Sequence, residues 1–285
     1  MFGRERVEYK TLAEIAKMRT AGLVVARALA AMRAAAAPGV STADLDAVGR
    51  EVLRDAGAKS SFLGYHGFPA VACISVNAEI VHGIPDAQQL EAGDVLSIDF
   101  GAIVDGWHGD SAFSMIVPET AGGPVPAKAD PGDVALVADT ESAMWAGIAA
   151  MAQGERVGDI GAAVEKDVAG RYGIVREYVG HGIGSAMHQP PDVPNYNTRE
   201  KGLRFRPGLC LAIEPMLTRG REETEILDDD WTVVSADGSR AAHWEHTVAY
   251  TERGIFVLTA EDGGAADLAA RGVEIVDPDF LFSAK

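Results

Sequence analysis

Leu12, Ile15, Ala16, Met18, Val25 and Leu29 keep apolar positions at helical spacing, which predicts a helix over 11–36 that Pro38 and Gly39 stop. A second helix follows, with Leu45, Val48, Val52 and Leu53 on one stripe, Thr42 as its cap and Gly57 as its end. The chain then turns β-rich. Residues 71–76 and 95–100 read as strands, 101–106 as a turn and 111–117 as the returning strand. The segment PETAGGPVPAKADPGD, 118–133, is a loop by composition. Helical patterns over 134–151 and 157–172 come next, then short strands over 209–213, 223–226, 232–234, 247–250 and 255–258. Helix pair, strands, loop, helix pair, strands is a coarse twofold order. It predicts a mixed α/β (α+β) chain with two halves that face each other. The stretch after Thr259 is acidic and rich in Gly and Ala before FLF, so it is left between partial packing and mobility.

Composition narrows the function classes. Forty-seven per cent apolar residues suffice for a real core. The 42 acidic residues outweigh 25 Lys and Arg, a net charge of -17. That balance disfavours a dedicated DNA binder and suits cations in an acidic cleft. The two cysteines, Cys73 and Cys210, make neither a disulfide framework nor a Cys-rich zinc site, and read as buried thiols in a reducing compartment. MFGRERVEYKTLAEI lacks the apolar core of a signal peptide, and the Ala-rich stretch over 21–37 is broken by Arg27 and Arg33. The expectation is a cytoplasmic protein without a membrane segment.

Candidate chemistry sits at strand positions. Asp99 ends the apolar strand of VLSIDFGAIVDGWHGDSAF, on one face with Val95 and Ser97, and Asp110 follows on the returning strand. A hairpin there sets two carboxylates near each other, and divalent cations would relieve their repulsion. Glu214 lies in LCLAIEPML and Glu245 in HWEHTVAY, where burial without a partner or metal is costly. His181 opens HGIG, whose glycines allow tight turns and close approach. Taken singly, each could be a solvated strand-end acid or a loop histidine. Four carboxylates and one imidazole together suit a pair of hard or borderline divalent ions, and so a two-metal hydrolase.

The motifs YHGFPAVACISVNAEIVHGIP, IDFGAIVDGWHGD, REYVGHGIGSAMHQPP, LAIEPM and WEHTVAY, in that order, resemble those of the type I methionine aminopeptidases in their short bacterial form. The resemblance covers about residues 5–260. It implies a pita-bread fold: pseudo-twofold halves around a central antiparallel sheet and a dinuclear metal site. It also implies one catalytic domain over 1–285, with an N-terminal helical segment over 1–40, a loop insertion over 118–133 and a C-terminal tail over 260–285. By this resemblance Asp99, Asp110, His181, Glu214 and Glu245 bind two divalent ions, with Asp110 and Glu245 as bridges. Fe(II), Mn(II), Co(II) and Zn(II) all suit such ligands. A bridging water would be the nucleophile and Glu214 the proton shuttle. His188 would stabilise the oxyanion, and His82 would face the substrate nitrogen and help protonate the leaving amine. Tyr65, Phe68, Cys73, Met187 and Trp231 match the methionine pocket. His66 is a further candidate there, while His108, His243 and His246 are assigned to support or packing.

The implied reaction removes the initiator methionine ahead of a small second residue. The implied partners are nascent polypeptide N-termini, with transient ribosome contact, for a monomeric enzyme. Met187 stands where phenylalanine is common, which predicts a looser pocket. Gln189 stands where glutamate is common, which removes a charge near the mouth. A proline-directed peptidase of the same fold is the nearest alternative, although such relatives usually carry an extra N-terminal domain. A non-catalytic relative would have lost metal ligands, and none is missing.

Overall fold

The computed structural model describes residues 7–282, so the first six residues of the 1–40 segment and the last three of the tail lie outside the described residues. Helix α1 (Leu12–Ala35) starts at a capping box in which Thr11 and Glu14 satisfy each other's backbone N–H groups. It buries Ile15, Met18, Ala21, Val25, Ala28, Leu29 and Met32. Helix α2 (Thr42–Ala56) begins at Ser41, not Thr42. The Ser41 hydroxyl accepts from the Asp44 N–H while Thr42 occupies the first turn, and Gly57 closes the helix in the left-handed region.

The main sheet is antiparallel and has nine strands. Its first half is the hairpin Val95–Val104/Trp107–Ile116, joined by Ala72–Val76 on the outer side. The expected turn over 101–106 is corrected. The strand runs on to Val104, and only Asp105 and Gly106 turn, both at positive φ (50° and 82°) as a tight two-residue hairpin requires. The second half carries Glu245–Thr251, Cys210–Ile213, Gly180–Gly182 and Gln189–Val193. The halves meet in a short ladder, Glu245 opposite Ala112 and His246 opposite Ser111.

Helix α3 (Pro131–Gln153) begins inside the expected 118–133 loop, with Asp130 accepting from the Gly132 N–H and proline at the first helical position. Helix α4 (Val157–Val168) stops earlier than expected because Ala169 and Gly170 both adopt positive φ. Both helix pairs pack on the same face of the sheet. In one half Gly49 of α2 abuts Phe100; in the other Gly147 of α3 abuts Ile213, and Trp145 lies 5.1 Å from His246. Helix α1 crosses the hairpin so closely that a Cβ at Gly109, beside Asp110, would lie 2.7 Å from the Gly22 nitrogen. The tail folds into α5 (Ala265–Ala269) and α6 (Pro278–Phe282). It buries Leu281 and Val276 against Ile15 and Met18, so over its described part it packs. No helix among the described residues is long and apolar enough to cross a membrane.

Candidate metal centre and substrate cavity

Strand pairing decides which side chains converge. Cys73 is opposite Asp99, Asp99 opposite Ala112, and Ala112 opposite Glu245, so these share one face of the sheet. Asp110 is two residues from Ala112 and joins that face. Thr247, two beyond Glu245, is opposite Ala212, which is opposite His181, while Glu214 follows Ala212 by two. The period of two thus turns all five expected ligands away from the helices. His246, of opposite parity, points back to Trp145 and Thr259 instead.

Every expected site residue lines a single cavity of about 450 Å³. One wall carries Asp99, Asp110, His181, Glu214 and Glu245. Ligand atoms of Asp110, His181 and Glu245 lie within 4.8 Å of one another. Asp110 and Glu245 are buried, and Glu214 keeps 12% side-chain exposure. One oxygen each of Asp99, Asp110 and Glu245 is buried with no hydrogen-bond partner. Among the described residues no Lys or Arg lines the cavity. Two carboxylate charges 4.8 Å apart repel by about 3.5 kcal/mol even at an effective dielectric of 20. Burial pushes the Asp110 carboxyl up to about 7. Burial and the neighbouring acids push Asp99, Glu214 and Glu245 well above the usual carboxylate range. Without cations, burial and mutual repulsion favour their protonated forms. Orphaned oxygens, an imidazole and no internal cation are a donor set that fits divalent metal.

The histidines are held neutral. Burial and nearby His188 bring His181 down to about 3 and His82 to about 4. The His181 Nδ1 faces the Gly182 carbonyl at 3.0 Å, which leaves Nε2 as the lone-pair nitrogen, 3.4 Å from Glu214 Oε1. His188 sits edge-on to His181, ring centres 4.2 Å apart, and its Nδ1 meets the Tyr65 hydroxyl at 2.7 Å. His82 leaves its strand at φ 61° and stands edge-on to Tyr178 and Trp231.

The rest of the lining is largely apolar. Phe62, Phe68, Ala70, Cys73 and Met187 form one cluster, with Tyr65 and Trp231 packed against it. Phe68 and Trp231 meet edge-on at 5.1 Å. Burial, reinforced by Asp99, Asp110 and Glu245, pushes the Cys73 thiol up, so it is not a thiolate. His66 lines the mouth, exposed, at φ 46° and 4.4 Å from the Tyr65 ring.

Sequence reasoning missed several lining residues. The most consequential is His243, assigned to support or packing, which faces the cavity with its Nε2 3.6 Å from Glu214 Oε2. The two-residue step from His243 to Glu245 was a readable signal for a shared face. Phe62, Val81, Glu177, Tyr178, Val179 and Met216 also line the cavity, and no spacing flagged them. His108 does not line it; it pairs with Ser61 at 2.9 Å. A carboxylate stands beside Gln189 all the same, that of Glu8. That carboxylate accepts from the Ser185 N–H and hydroxyl and from the Gln189 amide, and lies 3.4 Å from the nearly buried Lys10.

Comparison with known proteins agrees with this geometry. The sequence profile of metallopeptidase family M24 matches residues 16–252. Methionine aminopeptidase 1 of Mycobacterium tuberculosis (strain CDC 1551 / Oshkosh) is 49% identical over 265 residues, 90% of this chain and 96% of that protein. Methionine aminopeptidase 1 of Bacillus subtilis (strain 168) is 42% identical over 251 residues, 88% and 98% of the two chains. The crystal structure of methionine aminopeptidase from Thermotoga maritima superposes with a TM-score of 0.84 at 37% identity, over 90% of this chain and all of that one. Prolidase from Pyrococcus furiosus shares the fold alone, with a TM-score of 0.68 at 20% identity, over 88% of this chain and 65% of the prolidase. On these matches the chain belongs to metallopeptidase family M24 and, within it, to the methionine aminopeptidases with their pita-bread fold and divalent metal.

Proposed function

We propose that this chain removes N-terminal methionine from nascent polypeptides whose second residue is small, using two divalent ions held by Asp99, Asp110, His181, Glu214 and Glu245. The observation that carries this reading is the set of partnerless buried oxygens on Asp99, Asp110 and Glu245, facing an apolar wall across one cavity. Cations bound there supply positive charge that acidifies water and polarises a peptide carbonyl. Fe(II), Mn(II), Co(II) and Zn(II) all suit this oxygen-rich set.

The remaining steps belong to the chain's own groups. The methionine side chain enters between Phe62, Phe68, Cys73, Met187 and Trp231, with His66 at the mouth, in a cavity of ordinary size for a small ligand. Glu214, with its carboxyl raised by burial, takes the proton from the attacking water and passes it towards the leaving amine. A Tyr65 hydroxyl donating to His188 Nδ1 keeps the imidazole proton on Nε2, where it donates to the oxygen of the scissile carbonyl. His82 receives the substrate nitrogen at the other side. Substrates of this kind bring the enzyme transiently to ribosomes in the cytoplasm, as a monomer.

The test compares chelated and reconstituted protein on Met-Ala-Ser and on an Xaa-Pro peptide, with the native ion identified by anomalous scattering. Cleavage of Met-Ala-Ser that appears only with added cation is expected. Preference for Xaa-Pro, or full activity after exhaustive chelation, would overturn the reading.

A further inference from the structure

Glu214 presents its two oxygens to two different histidines, which are not equivalent. His181 Nδ1 faces the Gly182 carbonyl and therefore carries the ring proton, so Nε2 offers a lone pair beside Glu214 Oε1. Two lone pairs 3.4 Å apart repel each other and suit a shared cation. His243 is the opposite case. Its residue is 2% exposed, and its Nε2 is buried with no hydrogen-bond partner. That nitrogen lies 3.6 Å from Glu214 Oε2, an oxygen that accepts no hydrogen bond from another side chain among the described residues.

The backbone beneath His243 is fixed before the ring is considered. The His243 N–H donates to Ser114 Oγ and the Ser114 hydroxyl donates to the His243 carbonyl, both at 2.8 Å. The strand Ala241–His243 pairs with Met216–Thr218, His243 opposite Met216, only two residues beyond Glu214. Trp244 turns to Phe113 and Arg33, so His243 and Glu245 share the cavity side. An apolar side chain would fill this place without leaving an orphaned nitrogen; an imidazole belongs there only if its N–H has an acceptor.

We propose that His243 is a positioning residue for Glu214: closing the 3.6 Å gap by a few tenths of an ångström lets its Nε2–H donate to Oε2, so that Oε1 alone turns towards His181. The contact rests on the reading of Glu214 given above and deepens it. A carboxylate that gives and takes a proton must return to one orientation, and a fixed donor on its far oxygen restores that orientation each time. His243 touches neither substrate nor cation in this role.

The test uses the full chain loaded with zinc, and three variants. His243→Leu removes the donor and keeps the bulk; His243→Gln offers an amide N–H in its place; Glu214→Gln alters the acceptor. With Met-Ala-Ser, H243L should lose about 10- to 100-fold in kcat with KM little changed, as loss of an outer-shell partner does, and H243Q should regain most of it. Zinc stoichiometry by calorimetry should match the parent in both. In ¹⁵N-histidine-labelled protein, His243 should appear as the Nε2–H tautomer, and that N–H resonance should move in E214Q. An unchanged kcat in H243L would reduce His243 to packing. A lost zinc ion in both H243L and H243Q would make it a ligand and overturn the proposal. An Nδ1–H tautomer would overturn it even if the substituted proteins misfold, since the tautomer is read in the parent. A parent that fails to cleave Met-Ala-Ser defeats the proposed function, while the tautomer and the E214Q shift still decide the contact.

Discussion

The two walls of the cavity are built on different principles. The acidic wall stands on paired strands. Asp99, Asp110 and Glu245 point inward because ladders lock their register, and that rigidity holds like charges together in a buried space. The recognition wall, Cys73 apart, stands on loops. His66, His82 and Asp230, beside Trp231, are non-glycine residues at positive φ, a cost on the order of 1 kcal/mol each. Their side chains are held by one another, as Tyr65 is by His188 and Trp231 by Phe68. The cavity's metal-ligand charge stands on unstrained backbone, and its apolar and neutral side chains stand on or beside strained backbone. Damage to the first wall should therefore remove cations, and damage to the second should spare them.

The sharpest way to break this contrast is Asp110→Asn. It should nearly abolish peptide hydrolysis and weaken cation binding by more than about 100-fold, beyond what an outer-shell partner contributes, with the fold retained. Metal titration followed by the Met-Ala-Ser assay reads both, and a parent-like rate at limiting metal would remove Asp110 from the centre. The parent should also bind cations more weakly as pH falls through about 7, because the raised Asp110 carboxyl then keeps a proton that a cation must displace. His188→Ala tests the other wall. It should lower kcat by about 10²–10³-fold, the usual loss for one transition-state donor, at parent metal content. Stoichiometric metal loss would instead make His188 a ligand.

A smaller effect is expected where Glu8 holds Ser185 and Gln189 beside His188. Burial alone would raise the Glu8 carboxyl, but hydrogen bonds from Ser185 and Gln189 and the charge of Lys10 bring it to about 2. Glu8→Ala leaves the Lys10 ammonium with fewer partners. Allowing for the partial exposure of Glu8, this should cost about 1–2 kcal/mol and lower Tm by several degrees. The folded carboxyl titrates below its unfolded value near 4.5. Its contribution is therefore complete above that pH and lost as pH falls towards 2. The gap between parent and variant melting curves should close on acidification below pH 4.5, and a gap that widens there would contradict the assignment. The least effect is predicted for Cys73→Ser. As a buried thiol in the apolar wall, Cys73 should change kcat/KM by less than about tenfold, mainly through KM for methionine against norleucine substrates. A background kcat at parent metal content would point to a covalent role instead.

The sequence carried the long helices and the central strands because each repeats its apolar pattern over many residues. Where two signals competed, boundaries moved. Pro131 reads as loop yet opens α3, and the glycine at 101 reads as turn yet pairs with Asp110 in mid-strand. The three-residue strands Gly180–Gly182, Met216–Thr218 and Ala241–His243 are too short for any period to register, and they exist because neighbouring strands supply their hydrogen bonds. The residue types of the centre were legible one by one, since a carboxylate in an apolar strand is costly to bury unless a donor or a cation meets it. Their convergence was not. That Glu245 lies in one row with Asp99, that Glu8 accepts from Gln189, and that His243 faces Glu214 all depend on pairings between segments far apart in the chain. Local patterning fixes which face a side chain takes. Only the assembled sheet decides which other side chains share it.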